Sequence, residues 1–219
     1  DDLGRIISKK IHGGKEETRQ AYDIVGRNTE AVSPSFSYKI GYDKSLISGV
    51  AGRKDDLVSH ITWSNDATGE QKAYVFAYDK LKQYLSATYY EKAGSAWTSG
   101  PKYKESVGSY DKAGNIVSLQ RYDGTGALSH DYAYTFGAGS NGYALSQVSS
   151  SPEFLYDANG NLVKDGQTGV QIAYNILGYP QKIFAGTEQI SYIYAANGQK
   201  LATQTGSSLT YYRNVMVYS

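Results

Sequence analysis

The 219-residue sequence has no cysteine, which excludes disulfides, thiolate catalysis and cysteine-ligated zinc. Histidine is scarce, with His12, His60 and His130 standing far apart and without the close spacing of a metal motif. Net charge is nearly absent: 22 Lys plus Arg stand against 21 Asp plus Glu, so no electrostatic case exists for a nucleic acid or an anionic membrane as partner. The basic run Lys9, Lys10 and Lys15 is followed directly by Glu16 and Glu17, the pattern of a solvated face. No apolar run approaches the ~18 residues of a membrane span. The sequence carries no signal peptide, but it opens at Asp1, inside a motif and without methionine, and is read as a piece of a longer chain.

Tyrosine and glycine are what it has instead. There are 22 Tyr to 5 Phe, with 24 Gly. A large flat side chain that packs along its body and keeps a hydroxyl at water suits half-buried strands better than a deep core. The tyrosines also recur in phase. Tyr22-Asp23-x-x-Gly26, Tyr110-Asp111-x-x-Gly114 and Tyr156-Asp157-x-x-Gly160 share one motif, and Asp1 with Gly4 is the same motif lacking its tyrosine. Degenerate copies stand at Tyr174 with Gly178 and at Tyr194 with Gly198, while Tyr42-Asp43, Tyr78-Asp79 and Tyr122-Asp123 keep the dipeptide. The short intervals are near 20 residues, the length of a hairpin unit, and the wider ones point to inserted hairpins or degenerate copies. Between motifs the pattern alternates, as in Ile190, Tyr192 and Tyr194 on one face. The only stretch with a helical look, residues 16–25, contains the motif and is read as a strand.

Asp157, Asn159 and Asn161 place oxygens on alternate positions, as a calcium loop begins. The sixth position is Leu162 and the twelfth Thr168, where such a loop needs Gly and Glu. A β-turn explains the same residues: Asp157 accepts from nearby backbone N–H groups and Gly160 takes the left-handed conformation. No calcium or other cofactor is therefore expected.

The phased motif resembles the YD repeat of the Rhs (rearrangement hot spot) proteins, most closely over Tyr156 to Leu201, with residues 44–108 the weakest match. The resemblance implies a spiral β-sheet forming a hollow shell in a secreted or cell-surface protein. In toxin-carrying members that shell encloses a C-terminal effector, freed by self-cleavage at an Rhs core that this sequence does not contain. The partners implied are adjacent repeats and that core.

Catalytic patterns are thin. There is no Gly-x-Ser-x-Gly elbow. The stretch Gly137 to Gly142 matches Gly-x-Gly-x-x-Gly, but no helical periodicity follows, and a hairpin loop fits it better. Ser149, Ser150 and Ser151 beside Pro152 read as a linker. Asp23, Asp111 and Asp157 already have turns to hold. Trp97 and Trp63 are the candidate ligand contacts, since sugar rings stack on aromatics, with local packing as the alternative for Trp97.

The fold expected over residues 1–219 is all-β: one curved antiparallel sheet of successive β-hairpins, about 16 strands, little or no helix and no deep core. Its open strand edges are expected to favour self-association. The function expected is a non-enzymatic segment of shell wall in contact-dependent toxin delivery. The alternative is a recognition module for a glycan or a cell-surface protein.

Overall fold

The computed structural model describes residues 1–11, 17–65, 67–138, 142–213 and 216–218. Among them every regular element is a strand, and all pairings are antiparallel. The chain divides into two compact units, residues 1–131 and 132–219.

The first unit holds β1 (Ser8–Lys10), β2 (Glu17–Tyr22), β3 (Asn28–Val32), β4 (Phe36–Gly41), β5 (His60–Asn65), β6 (Glu70–Tyr78), β7 (Tyr84–Ala93), β8 (Ala96–Ser99), β9 (Glu105–Tyr110), β10 (Ile116–Tyr122) and the start of β11 (Leu128–Ala138). Neighbours in sequence are neighbours in the sheet, except that β8 leaves the path to pair with β7, and β9 takes the next place beside β7. The wide interval between Asp79 and Asp111 is therefore an inserted hairpin. Of residues 16–25, the one stretch with a helical look, 17–22 are strand β2 and 23–25 lie in the turn after it, while residue 16 lies outside the described residues.

In the second unit the latter part of β11 pairs with β12 (Ala144–Val148). A separate eight-stranded sheet follows in chain order: β13 (Leu155–Tyr156), β14 (Leu162–Lys164), β15 (Gln171–Tyr174), β16 (Pro180–Ala185), β17 (Glu188–Tyr194), β18 (Lys200–Thr205), β19 (Ser208–Arg213) and β20 (Met216–Tyr218).

The all-β fold of successive antiparallel hairpins is as expected, with two refinements. Among the described residues the strands number 20 rather than about 16, because short pairings such as β13 and the inserted β8 escape a reading by periodicity. Among the described residues the hairpins fall into two sheets, one ending at β12 and the other beginning at β13. The serines before Pro152 are a folded turn, not a slack linker. Ser151 N–H donates to Val148 C=O at 3.0 Å, Ala133 N–H donates to Ser149 Oγ at 3.2 Å, and Phe154 N–H returns to Ser146 C=O at 2.9 Å.

The buried apolar set is small and rich in alanine: Ala31, Ala73, Ala87 and Ala202 stand beside Ile47, Tyr89, Val107, Leu119, Val148 and Phe154. Ile47 and His60 are the largest side chains that are fully buried. Both owe this to residues 42–59, an excursion between β4 and β5. His60 accepts the Leu46 N–H at Nε2 (2.8 Å), so its proton sits on Nδ1 and faces Ser59 Oγ at 2.8 Å. Ser59 Oγ donates in turn to Gly41 C=O at 2.8 Å. Gly41 and His60 are cross-strand partners, and a Cβ on Gly41 would come within 2.2 Å of Nε2 and 2.3 Å of Cε1 of the imidazole.

Gly41→Ala is accordingly expected to cost about 1–3 kcal/mol, the overpacking range, measured by urea denaturation. A loss within experimental error would mean that the ring is not fixed there. The same pin carries a pH dependence. Burial pushes His60 below its ordinary value of 6.5, so below about pH 6.5 the unfolded chain takes up a proton that the folded chain refuses. Stability should fall from about pH 6.5 downward and level off below the folded pKa. A urea midpoint unchanged between about pH 7.5 and 5 would contradict the assignment.

Candidate functional site

The repeated motif builds one local structure many times. At Asp157 the Gly160 N–H donates to the Asp157 C=O at 3.0 Å and the Asp157 N–H to the Asn161 C=O at 2.9 Å. This is a type I turn closed by a glycine bulge, and Gly160 has φ 83°. Asp157 Oδ1 accepts the N–H groups of Asn159 and Asn161, both at 2.9 Å, and Oδ2 accepts the Asn161 amide at 2.9 Å. Asp23 repeats this with Val25 and Arg27, Asp111 with Ala113 and Asn115, and Asp1 with Leu3 and Arg5. The side-chain amides of Asn115 and Asn161, then backbone N–H groups, hold Asp111 and Asp157 below the usual carboxylate range. Two of the three oxygen-bearing side chains of the calcium-like run, Asp157 and Asn161, are therefore engaged within the turn, to which Asn159 contributes its backbone N–H.

Degenerate copies keep the frame. Asn175 accepts from Leu177 and Tyr179 as an aspartate would. Ala195 keeps only the backbone bonds, with Asn197 Oδ1 accepting the Gln199 N–H instead. At Asp79 a lysine, Lys82, occupies the glycine position at φ 64°. Asp43 alone among the motif residues opens no such turn: Tyr42 C=O accepts from Arg53 N–H, and the chain makes its long excursion.

The tyrosines do a second job. Five of them stand where the strand register slips beside the turn, Tyr22, Tyr78, Tyr156, Tyr174 and Tyr194. From there the hydroxyl reaches back across the strand pair to a backbone carbonyl near the preceding turn. Tyr22 donates to Ile6 at 3.0 Å, Tyr42 to Asn28 at 3.3 Å and Tyr78 to Val58 at 3.0 Å, and Tyr110 bonds Tyr84 in the same way. In the second unit Tyr156 donates to Leu145 at 2.9 Å, Tyr174 to Leu162 at 2.9 Å and Tyr194 to Pro180 at 2.8 Å. The residue after the turn glycine often covers the next tyrosine ring: Arg5 lies 4.9 Å over Tyr22, Arg27 lies 4.3 Å over Tyr42, and Tyr179 stacks on Tyr194 at 5.3 Å. Turn, hydroxyl and covering side chain together form a clasp.

Tyr122-Asp123 departs from this pattern. Asp123 makes the full turn, with Gly126 at φ 87° and Thr125 and Ala127 N–H groups on Oδ1. It lies one strand after Asp111 rather than two, hence on the opposite edge of the sheet, and its tyrosine hydroxyl has no acceptor among the described residues. The sequence shows its glycine in Gly124-Thr125-Gly126, a signal that the dipeptide alone conceals. Two longer turns, Asn65 with Gly69 and Asp165 with Gly169, also recruit N–H groups to an Asx side chain.

The two tryptophans are placed differently. Register carries one row across five strands of the first unit: Ser37 pairs with Ser64, Ser64 with Gln71, Gln71 faces Lys92, and Lys92 pairs with Trp97. Lys92 donates to the Gln71 amide oxygen at 2.8 Å and lies 5.8 Å from the Trp97 ring. A cavity of about 300 Å³ opens on this row, bordered also by Lys39, Thr62 and Leu46. Trp63 borders it too, but one residue before Ser64 its side chain belongs to the opposite face. There its ring packs on Tyr74 at 5.6 Å and Tyr89 at 6.2 Å. The tryptophans therefore do not form a joint platform.

Other candidates are dispersed. His60 is the buried pin described above, His130 is exposed beside Ser129 at 3.0 Å, and His12 lies outside the described residues. In the stretch Gly137 to Gly142, residues 139–141 also lie outside them, and β11 and β12 flank it.

No family model matches the chain. No curated protein matches it either. Among solved structures, it is similar to a chain of a Photorhabdus luminescens Tc holotoxin pore carrying a TccC3 mutation, with 15% identity, 97% of this chain and 14% of that chain covered, and a TM-score of 0.43. A TcdB2-TccC3-Cdc42 complex gives 13% identity, coverage of 94% and 12%, and a TM-score of 0.48. A porin-like protein from Bacteroides uniformis gives 12% identity, coverage of 96% and 90%, and a TM-score of 0.25. The chain thus spans about an eighth of the length of the two toxin chains.

The clasp predicts how tyrosines should rank. Tyr174→Phe should cost about 1 kcal/mol, the value of one hydrogen bond, whereas Tyr122→Phe should cost close to nothing. Ala195→Asp should raise stability by about 0.5 kcal/mol by supplying the missing acceptor. Equal urea midpoints for the two Phe variants would remove the clasp from the account of stability.

Proposed function

We propose that the chain is a non-enzymatic structural segment of a larger secreted or surface protein of Rhs type, forming part of a β-shell wall around a C-terminal toxin. The observation that supports this is the repeated clasp. The same aspartate turn and tyrosine hydroxyl recur in unit after unit, so the acids and phenols that sequence singles out are engaged in holding hairpins together. A wall of neighbour-stabilised hairpins can be extended by adding units, and it needs adjacent repeats to cover its ends. On this reading the chemistry of the parent belongs to its cargo.

The test is intact-mass analysis of the full-length parent purified from its native host. The expected result is a cleaved C-terminal fragment that stays with the shell through purification. A parent that remains whole and ends without a separate cargo domain would overturn the container reading.

A further inference from the structure

We propose that the Trp97 row of the first unit is a binding site for an anionic saccharide, with one sugar ring on the indole and its acidic group at Lys92. The site lies on one sheet face between two insertions in the repeat. Residues 42–59 bring Leu46 to one side of the cavity, and the β7–β8 hairpin brings Trp97 to the other. Both are departures from the regular hairpin unit, so the repeat itself does not account for them.

The chemistry is that of a ligand that is flat, polar and negatively charged. Trp97 is half-buried, so an indole face is held in place and still borders the cavity. The row beside it carries hydroxyl, amide and ammonium groups in strand register, Ser37, Ser64, Gln71 and Lys92, over three strand spacings or roughly 14 Å, and Trp97 on the next strand extends it to roughly 19 Å. That length accommodates several pyranose rings. The cavity, about 300 Å³, sits at the small end of ligand pockets, of roughly 300–1,000 Å³, and suits one ring held closely with the rest lying along the row.

Charge selects the class. The described residues bordering the cavity include two lysines and no carboxylate. Lys39 is compensated by Glu30 at 3.1 Å. Lys92 has only neutral partners among the described residues, the Gln71 amide and the Trp97 ring. An ammonium has three donors, and one is committed to Gln71. A carboxylate or sulfate on a ring stacked at Trp97 would meet the others.

The assay uses Trp63→Phe protein, in which Trp97 is the remaining tryptophan of two and reports by fluorescence. Tetragalacturonate is the carboxylate probe, a heparin tetrasaccharide the sulfate probe and galactotetraose the neutral one. The expected result is a saturable signal with one or both acidic probes, weaker at high salt, and the two acidic arms decide between carboxylate and sulfate. Lys92→Gln should weaken it at least tenfold with an unchanged near-ultraviolet circular dichroism spectrum. Lys112→Gln, which removes an equal charge at an exposed turn, should leave it intact. Calorimetry on Trp97→Phe in the otherwise native chain should show weaker binding of the same probe. Absence of saturation with both acidic probes, equal binding of galactotetraose, or equal weakening by Lys112→Gln would each overturn the proposal.

Discussion

The bond from a tyrosine hydroxyl to a backbone carbonyl one strand away is the constraint on which the rest of this structure depends. A sheet whose buried apolar set is four alanines and six larger side chains gains little from a deep core, so each hairpin must be fixed by its immediate neighbours. The open end of a hairpin frays first, because its last ladder pair has nothing beyond it. Here that end is closed twice, by an aspartate that organises the turn and by a phenol that ties the returning strand to the carbonyl near the previous turn. Phenylalanine would give the ring without the tie, which explains the excess of Tyr over Phe. Burial raises the pKa of Tyr156, Tyr174 and Tyr194, keeping each hydroxyl protonated and able to donate.

Half of this arrangement is legible in the sequence. The turn is local: an Asx at its first position and a glycine three residues on are chemical preferences, and they repeat. The acceptors are not legible, because Ile6, Leu145, Leu162 and Pro180 act through their carbonyls and have no side chain in common. Nor does the motif reveal which edge of the sheet it occupies. Asp123 looks like the other copies, and only the count of strands since Asp111 puts it opposite. The division into two sheets, between β12 and β13, has no counterpart in the motif, which continues at Tyr156-Asp157 directly after it. The Gly41, Ser59 and His60 pin could not be found by spacing, since its members lie on an excursion and on the two strands flanking it.

The same logic explains where variation is tolerated. Ala195 lacks the acceptor, Lys82 lacks the glycine, and Asp43 opens no turn, yet the strands on either side pair in register. Neighbour-stabilised units can absorb one weak copy, because the loss stays with the adjoining clasps and does not spread through a shared core. Where the departure is largest, at residues 42–59, the excursion brings its own compact packing of Ile47, Ser59 and His60.

Such freedom bears on where new chemistry can arise. The clasp commits the aspartates and tyrosines along the turn edges, so repetition ties their chemistry to architecture. The two insertions obey no such rule, and they border one cavity on one face of the first unit. A side chain on an insertion can change without undoing a clasp, whereas a change at a motif tyrosine acts directly on the hairpin it closes. Trp97 and Lys92 stand on the unconstrained side of that division, with Gln71 and Ser64 beside them on strands whose pairing the clasps already guarantee. A rigid sheet face with variable insertions is the arrangement in which binding specificity can vary while the fold stays fixed.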